Sequence, residues 1–339
     1  MLKGAIFGFG NIGQFIAREV NIEKKYGERA EIVAVCDRYE QQRIIAENEF
    51  NLRAYTDPRK MLDNDLDFLC VLSTSIAHKE HLLLSVERNL PILCEKPIAL
   101  NLDDAIMMAE EVEKRNILNV VRYLFRFTSE YRALKQMVDD GKFGELLSVW
   151  ARNFRGHGLY VGGAQHPAVV KPEESGGWIV HHTCHMTDLM LWLGGAIKEV
   201  YCQTQSTVPN KDSEEIVWSN VTFENGAIGM TADTVACLED KSVGVIGNKG
   251  SAKVVVDSLK PLIKYRFEGE ADFAPPHILD PLDIGPSIDS IAHFFDCVQH
   301  DEKPIATVRD AVFSLAVAIA MKKSAVEKRP VKIADILHE

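Results

Sequence analysis

The sequence lacks the segments that mark membrane and secreted proteins. No run reaches the roughly 20 apolar residues that a membrane helix needs, and the longest candidate, Phe313 to Met321, favours a buried helix. At the N-terminus, no charged stretch is followed by an apolar segment and a small-residue cleavage site. The seven cysteines have no C-x-x-C spacing, and Cys36, Cys70 and Cys94 end apolar runs in which a reduced thiol packs. We therefore expect a cytoplasmic protein without disulfides.

A basic surface for nucleic acid is absent as well. Lysine and arginine total 38 against 49 aspartate and glutamate residues, which gives a formal net charge of -11. This balance repels a phosphate backbone and no basic cluster offsets it, so we expect no nucleic-acid partner. Hydrophobic residues at 46% and charged residues at 26% are ordinary values for a globular protein. A chain of 339 residues without repeats or low-complexity linkers predicts two domains.

Residues 1–122 alternate short β-rich runs with amphipathic stretches. This alternation is typical of an α/β domain in which helices cover both faces of a doubly wound parallel sheet, the Rossmann arrangement. The predicted strands are Leu2 to Phe7, Ile32 to Cys36, Phe68 to Leu72, Ile92 to Cys94 and Leu118 to Arg122. The predicted helices include Gln14 to Val20, His78 to Glu87 and Asp103 to Arg115.

Residues 123–339 have a different pattern, in which long β-rich segments follow one another directly. They predict an α+β domain with an open, mainly antiparallel sheet, and Glu224-Asn225-Gly226 marks a hairpin within it. The stretch from Gly156 to Gly177 is rich in glycine and proline and predicts a long loop over the active site. The helices of this domain are predicted over Glu130 to Asp139, His181 to Leu193, Ile288 to Val298 and Val308 to Glu327.

A glycine motif for a dinucleotide follows the first strand. Gly8, Gly10 and Gly13 form G-x-G-x-x-G between a strand and a helix, so that backbone amides and a helix N-terminus can face a pyrophosphate. Asp37 ends the next strand, where it can accept hydrogen bonds from the adenosine ribose and repel a 2′-phosphate. NAD is therefore the predicted cofactor, although Arg38 leaves NADP open. The other predicted contacts in the turn are Phe9, Asn11 and Ile12.

The motifs together resemble those of one oxidoreductase family. Glu95-Lys96-Pro97 after the fourth predicted strand, GFGNIG at the start and the segment Gly176 to Asp188 are similar to the Gfo/Idh/MocA family, which includes glucose-fructose oxidoreductase and inositol dehydrogenases. The resemblance implies a Rossmann domain, a C-terminal domain whose open sheet commonly joins subunits, and hydride transfer to or from a sugar or cyclitol carbon. We therefore expect a sugar or polyol substrate and a homo-oligomer, either a dimer or a tetramer.

The resemblance also assigns roles to residues of the first domain. In the family, the lysine that matches Lys96 contacts both substrate hydroxyl and cofactor, and the glutamate that matches Glu95 lies near the nicotinamide ribose. An ammonium group is suited to such a site because it stabilises the alkoxide that develops as hydride leaves. Where the family has Thr-Pro-Asn and then histidine, this chain has Ser73-Thr74-Ser75 and then His78, and we expect cofactor contacts from Ser73, Thr74 and His78.

The second domain contains the matching acid-base residues. The family pattern Asp-x-x-x-His-x-x-Asp corresponds here to His181, His185 and Asp188, with histidine in place of the first aspartate. On one α-helix these three would share a face at i, i+4 and i+7. The resemblance then makes His185 the general base and His181 a second catalytic residue, with His181 or Asp188 orienting the ring of His185.

Other interpretations remain open at this stage. We expect no metal, yet His181 and His185 could bind zinc together with His157 or His166. The chain could also cleave glycosides by transient oxidation, or bind a dinucleotide as a non-catalytic regulator. Three aromatic residues could pack against a sugar or belong to the core, namely Trp150, Tyr160 and Trp178.

Overall fold

The computed structural model describes residues 1–154, 171–206, 214–234, 240–257, 260–271 and 274–338, and these form two compact units. The first unit contains Met1–Tyr123 and Asp289–Val312, and the second contains Leu124–Ile288 and Phe313–Glu339. The sequence places all of 123–339 in one domain, so the membership of residues 289–312 differs from that prediction.

The first unit is built on a six-stranded sheet in which every recorded strand pairing is parallel. The strand order is β3-β2-β1-β4-β5-β6, so the predicted Rossmann sheet is confirmed. The strands are β1 (Leu2–Phe7), β2 (Ala30–Cys36), β3 (Arg53–Tyr55), β4 (Phe68–Val71), β5 (Ile92–Cys94) and β6 (Asn119–Val121). The helices are α1 (Asn11–Ala17), which runs into a π-helical turn at Arg18–Ile22, α2 (Glu40–Phe50), α3 (Pro58–Met61), α4 (His78–Glu87) and α5 (Leu102–Lys114).

The strands of this sheet are apolar because both faces are covered. All four residues of β4 are buried, and the Phe68 ring lies where a Cβ on Gly4 would be, about 2.1 Å from the nearest ring carbon. The glycine therefore makes room for the aromatic ring. β3 was not predicted because its three residues are half-exposed or exposed and lack an apolar run.

The segment 289–312 joins the first unit through apolar and backbone contacts. It contains α9 (Ser290–His300), whose Phe294 and Phe295 rings lie 5.6 and 5.5 Å from the Phe68 ring in edge-on arrangements. The Val121 amide donates to the Ala306 carbonyl at 2.9 Å. These contacts explain why the segment belongs with a sheet from which it is distant in sequence.

A polar cluster links the start of α9 to the π-helical turn that follows α1. Asp289 caps α9 by accepting hydrogen bonds from the amides of Ile291 and Ala292. The Tyr26 hydroxyl lies 2.7 Å from Glu19 Oε2 and 3.1 Å from Asp289 Oδ1. Burial and the two carboxylates raise the pKa of Tyr26, so its hydroxyl stays protonated and can donate.

The second unit is built on a nine-stranded sheet of order β14-β13-β12-β11-β7-β10-β9-β8-β15. Only β7 and β10 are recorded as parallel neighbours, and the other recorded pairs are antiparallel, which confirms the predicted open and mainly antiparallel sheet. The strands are β7 (Leu146–Phe154), β8 (Ile197–Gln205), β9 (Ile216–Phe223), β10 (Ile228–Thr234), β11 (Asp240–Gly247), β12 (Gly250–Asp257), β13 (Lys260–Phe267), β14 (His277–Leu279) and β15 (Val331–Lys332). β9 and β10 form the hairpin predicted at Glu224-Asn225-Gly226.

The two faces of this sheet differ in burial. Val149, Ala151 and Asn153 of β7 alternate with more exposed residues, and they lie on the buried face of the sheet.

The α-helices of the second unit within the described ranges are α6 (Ser129–Asp139), α7 (Pro172–Ser175), α8 (Cys184–Gly194) and α11 (Ile333–Leu337). A further helix, α10 (Val308–Glu327), begins in the first unit and ends in the second. No helix within the described ranges combines the length and the apolar character needed to cross a membrane.

The Tyr26 hydrogen bonds provide a test of the contact between α9 and the rest of the first unit. Tyr26→Phe removes the donor to a buried carboxylate, and we expect the free energy of unfolding to fall by about 1–3 kcal/mol. Urea denaturation of the purified protein measures it. Arg59→Ala, which breaks the exposed pair with Glu87, is the control and is expected to change stability by less than about 0.5 kcal/mol. An unchanged urea midpoint in Tyr26→Phe would contradict a stabilising role for the Tyr26 hydrogen bond.

Candidate active site

The glycine turn lies at the end of β1, against the loop that follows β4. Gly8 has a φ of +89°, and a Cβ there would lie 2.4 Å from the Cα of Ser73, so no larger residue fits. A Cβ on Gly13 would lie 2.3 Å from the Gly8 carbonyl oxygen, whereas one on Gly10 would meet no described atom within 4 Å. α1 begins at Asn11. The turn is therefore closely packed at Gly8 and Gly13 and open at Gly10, as a bound pyrophosphate requires.

The other residues of the turn divide between the interior and the surface. Phe9 is fully buried and packs edge-on against Phe50 at 5.2 Å, so its side chain belongs to the core and only its backbone faces the turn. Ile12 is 42% exposed at the start of α1, and Asn11 is exposed beside it. Side-chain contacts to a ligand can thus come from positions 11 and 12, and not from position 9.

Asp37 is oriented by two backbone amides. Its Oδ2 accepts from the Phe9 amide at 2.7 Å and its Oδ1 from the Tyr39 amide at 2.8 Å, while only 9% of the residue is exposed. These bonds hold the carboxylate beside the glycine turn, where the sequence predicts it. Arg38 places its guanidinium over the Tyr39 ring at 4.7 Å and donates to the Tyr39 hydroxyl, a partner that the sequence analysis missed.

The loop after β4 is tied to Glu95-Lys96-Pro97 by a histidine. His78 is buried, and its Nδ1 and Nε2 lie 2.9 Å from the carbonyl oxygens of Pro97 and Ser73. Burial lowers the pKa of His78, while the two carbonyl oxygens act in the opposite direction because only the protonated ring can donate to both of them. His78 was predicted as a cofactor contact, but the contacts of its two nitrogens hold two backbone segments together. Thr74 is exposed and Ser73 is partly exposed in the same loop.

Glu95 and Lys96 follow β5, and their environments differ. Glu95 Oε1 accepts from the guanidinium of Arg122, which is 6% exposed at its side chain, and Arg122 Nε lies 3.3 Å from Ser290 Oγ. Glu95 Oε2 accepts from the Lys96 amide at 3.2 Å, and the Lys96–Pro97 peptide is cis. Lys96 is partly exposed. The sequence analysis missed Arg122, although a cation directly after an apolar strand is a recognisable signal.

The histidine segment of the second unit does not continue as one α-helix. Residues Ile179–Thr183 form a π-helical turn with i to i+5 bonding, and α8 begins only at Cys184. The single α-helix assumed for His181, His185 and Asp188 is therefore interrupted, because His181 lies in the π-helical turn and the other two residues lie in α8. His181 is partly exposed, whereas His185 is 8% exposed and lies 5.2 Å from the Phe125 ring.

A buried histidine and aspartate pair is formed by His182, which the sequence analysis did not select. His182 Nδ1 lies 2.6 Å from Asp233 Oδ2, and the Thr183 hydroxyl donates to the same oxygen at 3.1 Å. The Trp178 ring stacks on the His182 ring at 4.3 Å. His182 and His185 are neighbours, with ring centroids 6.1 Å apart. The missing signal was tertiary, because Asp233 lies on β10, about 50 residues away in sequence.

Asp188 is held by a cation. Both of its oxygens accept from Arg126, Nη2 to Oδ1 at 2.7 Å and Nε to Oδ2 at 2.9 Å, and the two side chains are 1% and 5% exposed. The sequence offered Asp188 as one of two groups that could orient His185, but the structure gives its carboxylate this bidentate ion pair. The pair anchors α8 to the segment that precedes α6.

The aromatic and metal predictions have separate outcomes. Trp178 is fully buried, so it packs in the core and offers no surface to a sugar. Trp150 pairs in register with Met230 of β10, which is three residues from Asp233. Because side chains of a strand alternate between the two faces, Trp150 and Asp233 lie on opposite faces of the sheet.

Among the residues that the structure describes, no group of three or more histidine, cysteine or acidic side chains could hold a metal ion. His157, Tyr160, His166 and most of the predicted loop from 156 to 177 lie outside the described residues.

Two family descriptions match adjacent parts of the chain. Residues 2–123 match an oxidoreductase family with an NAD-binding Rossmann fold, and residues 131–253 match the Gfo/Idh/MocA C-terminal domain. A myo-inositol 2-dehydrogenase from Thermotoga maritima is 24% identical, over 99% of this chain and 100% of the relative.

Solved structures share the fold over nearly the whole chain. A levoglucosan dehydrogenase in complex with NADH and levoglucosan has a TM-score of 0.83 at 18% identity and covers 98% of both chains. The WlbA dehydrogenase from Bordetella pertussis, in complex with NADH and UDP-GlcNAcA, has a TM-score of 0.81 at 21% identity and covers 98% of this chain and 97% of its own. With the glycine turn, the oriented Asp37 and both family matches in place, the chain belongs to the Gfo/Idh/MocA family of NAD-binding oxidoreductases.

Proposed function

We propose that this protein transfers hydride between NAD and a hydroxyl-bearing carbon of a sugar, cyclitol or related polyol. The observation that carries the proposal is the Asp37 carboxylate held against the glycine turn, within a family of oxidoreductases. The test is a panel of sugars, cyclitols and their glycosides, followed by NADH absorbance. Substrate-dependent NADH formation supports the proposal. Glycoside cleavage without NADH accumulation would instead indicate transient oxidation.

NAD is the preferred dinucleotide in this proposal. A carboxylate can accept about four hydrogen bonds, so Asp37 retains acceptor capacity for the adenosine ribose hydroxyls after its two amide contacts. The same negative charge repels the 2′-phosphate of NADP. Arg38 is engaged by Tyr39, which makes it a weaker attraction for that phosphate than the sequence alone implied.

His185 is assigned the role of accepting the proton of the substrate hydroxyl. Oxidation of a carbinol carbon removes a hydride, which bound nicotinamide accepts, and a proton, which must go to a base. His185 is proposed as that base, and its neutral ring would become an imidazolium as the carbonyl forms. The Lys96 ammonium is proposed to stabilise the alkoxide in the transition state, since a fixed positive charge acts most strongly where negative charge develops. Both roles rest on the family match.

His181 and His182 are assigned different parts. His181 takes the place of the family aspartate in sequence, and we keep it as a candidate second catalytic residue. His182 is paired with the buried Asp233, and its ring centroid lies 6.1 Å from that of His185. This arrangement supports an additional role for His182 in positioning the ring of His185. A carboxylate bound to one ring nitrogen fixes the ring orientation and tautomer, as in other histidine and aspartate pairs.

The chain is further proposed to form a homo-oligomer through the exposed face of the nine-stranded sheet. Ile228 and Ile246 are 63% and 43% exposed, and both pair in register with Ser148, so they lie in one row across three strands. Trp218 is 45% exposed on the same face. Such a group of apolar side chains is typical of an interface between subunits. We also infer a reducing, cytoplasmic location, since all six described cysteines are buried in the interior, where reduced thiols pack.

Asp37→Ala tests the cofactor assignment. We expect the native protein to bind NADH more tightly than NADPH, and the variant to lose most of that preference because the repulsion of the 2′-phosphate disappears. Calorimetric titration with both dinucleotides measures the ratio. Asp57→Ala, a surface helix cap, is the control and is expected to leave the ratio unchanged. A native preference for NADPH would contradict the assignment.

His185→Ala and Lys96→Ala test the proton and charge assignments. Each is expected to lower kcat by roughly 10²- to 10⁴-fold, with NADH affinity nearly unchanged for His185→Ala, because a positioned acid-base group acts mainly in the transition state. His300→Ala, which replaces an exposed histidine at the end of α9, is the matched control. In steady-state assays, His181→Asp should retain substantial activity with a shifted pH profile, whereas Asp233→Asn should lower kcat. Full activity in both alanine variants would remove this mechanism.

Ile228→Lys combined with Ile246→Lys tests the sheet interface. Light scattering at micromolar concentration is expected to give a dimer or tetramer for the native protein and a smaller species for the variant, because two buried ammonium groups would oppose association. Ile44→Lys replaces an exposed isoleucine of the first unit and is expected to leave the mass unchanged. A monomeric native protein would overturn the proposal.

A further inference from the structure

A second histidine of α4 joins the ends of the two central strands of the first unit. β1 and β4 are neighbours at the point where the strand order reverses, and ligands of such sheets bind beyond the carboxyl ends at this point. His81 Nδ1 lies 2.9 Å from Ser73 Oγ, in the loop after β4. The His81 ring also stacks on Phe7, the last residue of β1, with centroids 4.5 Å apart and planes 4° apart. The residue therefore touches both strand ends.

The contact reaches the glycine turn through Ser73. Gly8 directly follows Phe7, and its backbone is so close to Ser73 that a Cβ would lie 2.4 Å from the Ser73 Cα. Ser73 is partly exposed, and its hydroxyl has one of its three hydrogen-bonding directions committed to His81. The remaining directions are available to a ligand at the edge of the sheet.

The imidazole provides geometry and no charge. Burial, together with a smaller effect of neighbouring His78, lowers the pKa of His81 to about 4, and Asp37 opposes this change. At neutral pH the ring is therefore uncharged and does not attract phosphate as a cation. Its contribution is to fix a hydroxyl by a neutral hydrogen bond.

We propose that His81 is a positioning residue for the dinucleotide, which fixes the Ser73 hydroxyl toward the pyrophosphate and the nicotinamide half. The strand order indicates which half of the dinucleotide Ser73 faces, because Asp37 follows β2 on one side of β1 and Ser73 follows β4 on the other side. The adenosine ribose at Asp37 thus leaves the other half of the molecule to Ser73. This inference rests on the proposed cofactor contact of Ser73.

Two substitutions of His81 separate its two contacts. His81→Phe keeps a ring that can stack on Phe7 and removes the nitrogen, whereas His81→Asn keeps a polar group near the Nδ1 position and removes the ring. We expect His81→Phe and Ser73→Ala each to weaken NADH binding about 5- to 10-fold, the usual effect of one hydrogen bond, and the double variant to be no weaker than either. His81→Asn should retain most of the affinity. Ser85→Ala, whose hydroxyl donates to the His81 carbonyl, is the control and should bind NADH normally.

AMP distinguishes positioning from a loss of structure. AMP carries only the adenosine half, so its inhibition constant against NADH should change less than about twofold in every variant, whereas a structural defect would weaken both ligands. In the native protein, histidine NMR should record a shift of the His81 Nδ1 resonance when NADH is added, and Ser73→Ala should abolish it. Normal NADH binding by His81→Phe, equal losses for AMP and NADH, or an unmoved resonance would overturn the inference. A native protein that binds no NADH would instead refute the proposed function.

Discussion

The nucleotide edge of the first unit depends on the contact between the backbones of Gly8 and Ser73. A methyl group at Gly8 would lie 2.4 Å from the Ser73 Cα, so the end of β1 and the loop after β4 must move as one. Hydrogen bonds continue the connection, since the Gly8 amide donates to Cys36 and the Leu72 amide to Phe7. Asp37, His78 and Glu95 all lie on segments attached to these strand ends. Their positions therefore depend on a glycine that tolerates both the φ and the crowding.

The sequence predicted the regular parts of both units because their patterns are local. Alternation of apolar runs and amphipathic stretches predicted the parallel sheet, and the bounds of α4 and of β5 agree with those expected. β3 was missed because its residues are half-exposed or exposed and lack an apolar run, and β15 has only two residues. Asp289–Val312 could not be assigned to the first unit from sequence, because its contacts with Phe68 and Val121 are made with distant residues.

The candidate site was predictable where spacing determines geometry and not where folding brings partners together. Gly8, Gly13 and Asp37 follow from a motif whose spacing has a physical cause, and the structure positions them accordingly. The π-helical turn at Ile179–Thr183 has no comparable signal, so the sequence did not show that His181 lies before the start of α8. The buried ion pairs of the site include Arg126, Arg122 and Asp233. A sequence does not reveal which buried charged residues pair with each other.

The return of the chain to the first unit at residue 289 has a consequence for synthesis on the ribosome. Lys25 and Asp289 form an ion pair across 264 positions, and the Phe68 ring packs on aromatic residues that are translated more than 200 residues later. A nascent Rossmann unit must therefore keep part of its apolar core uncovered while the second unit is being made, which is the interval in which exposed apolar surface favours aggregation. The first unit can therefore complete its folding only after Asp289–Val312 has been translated.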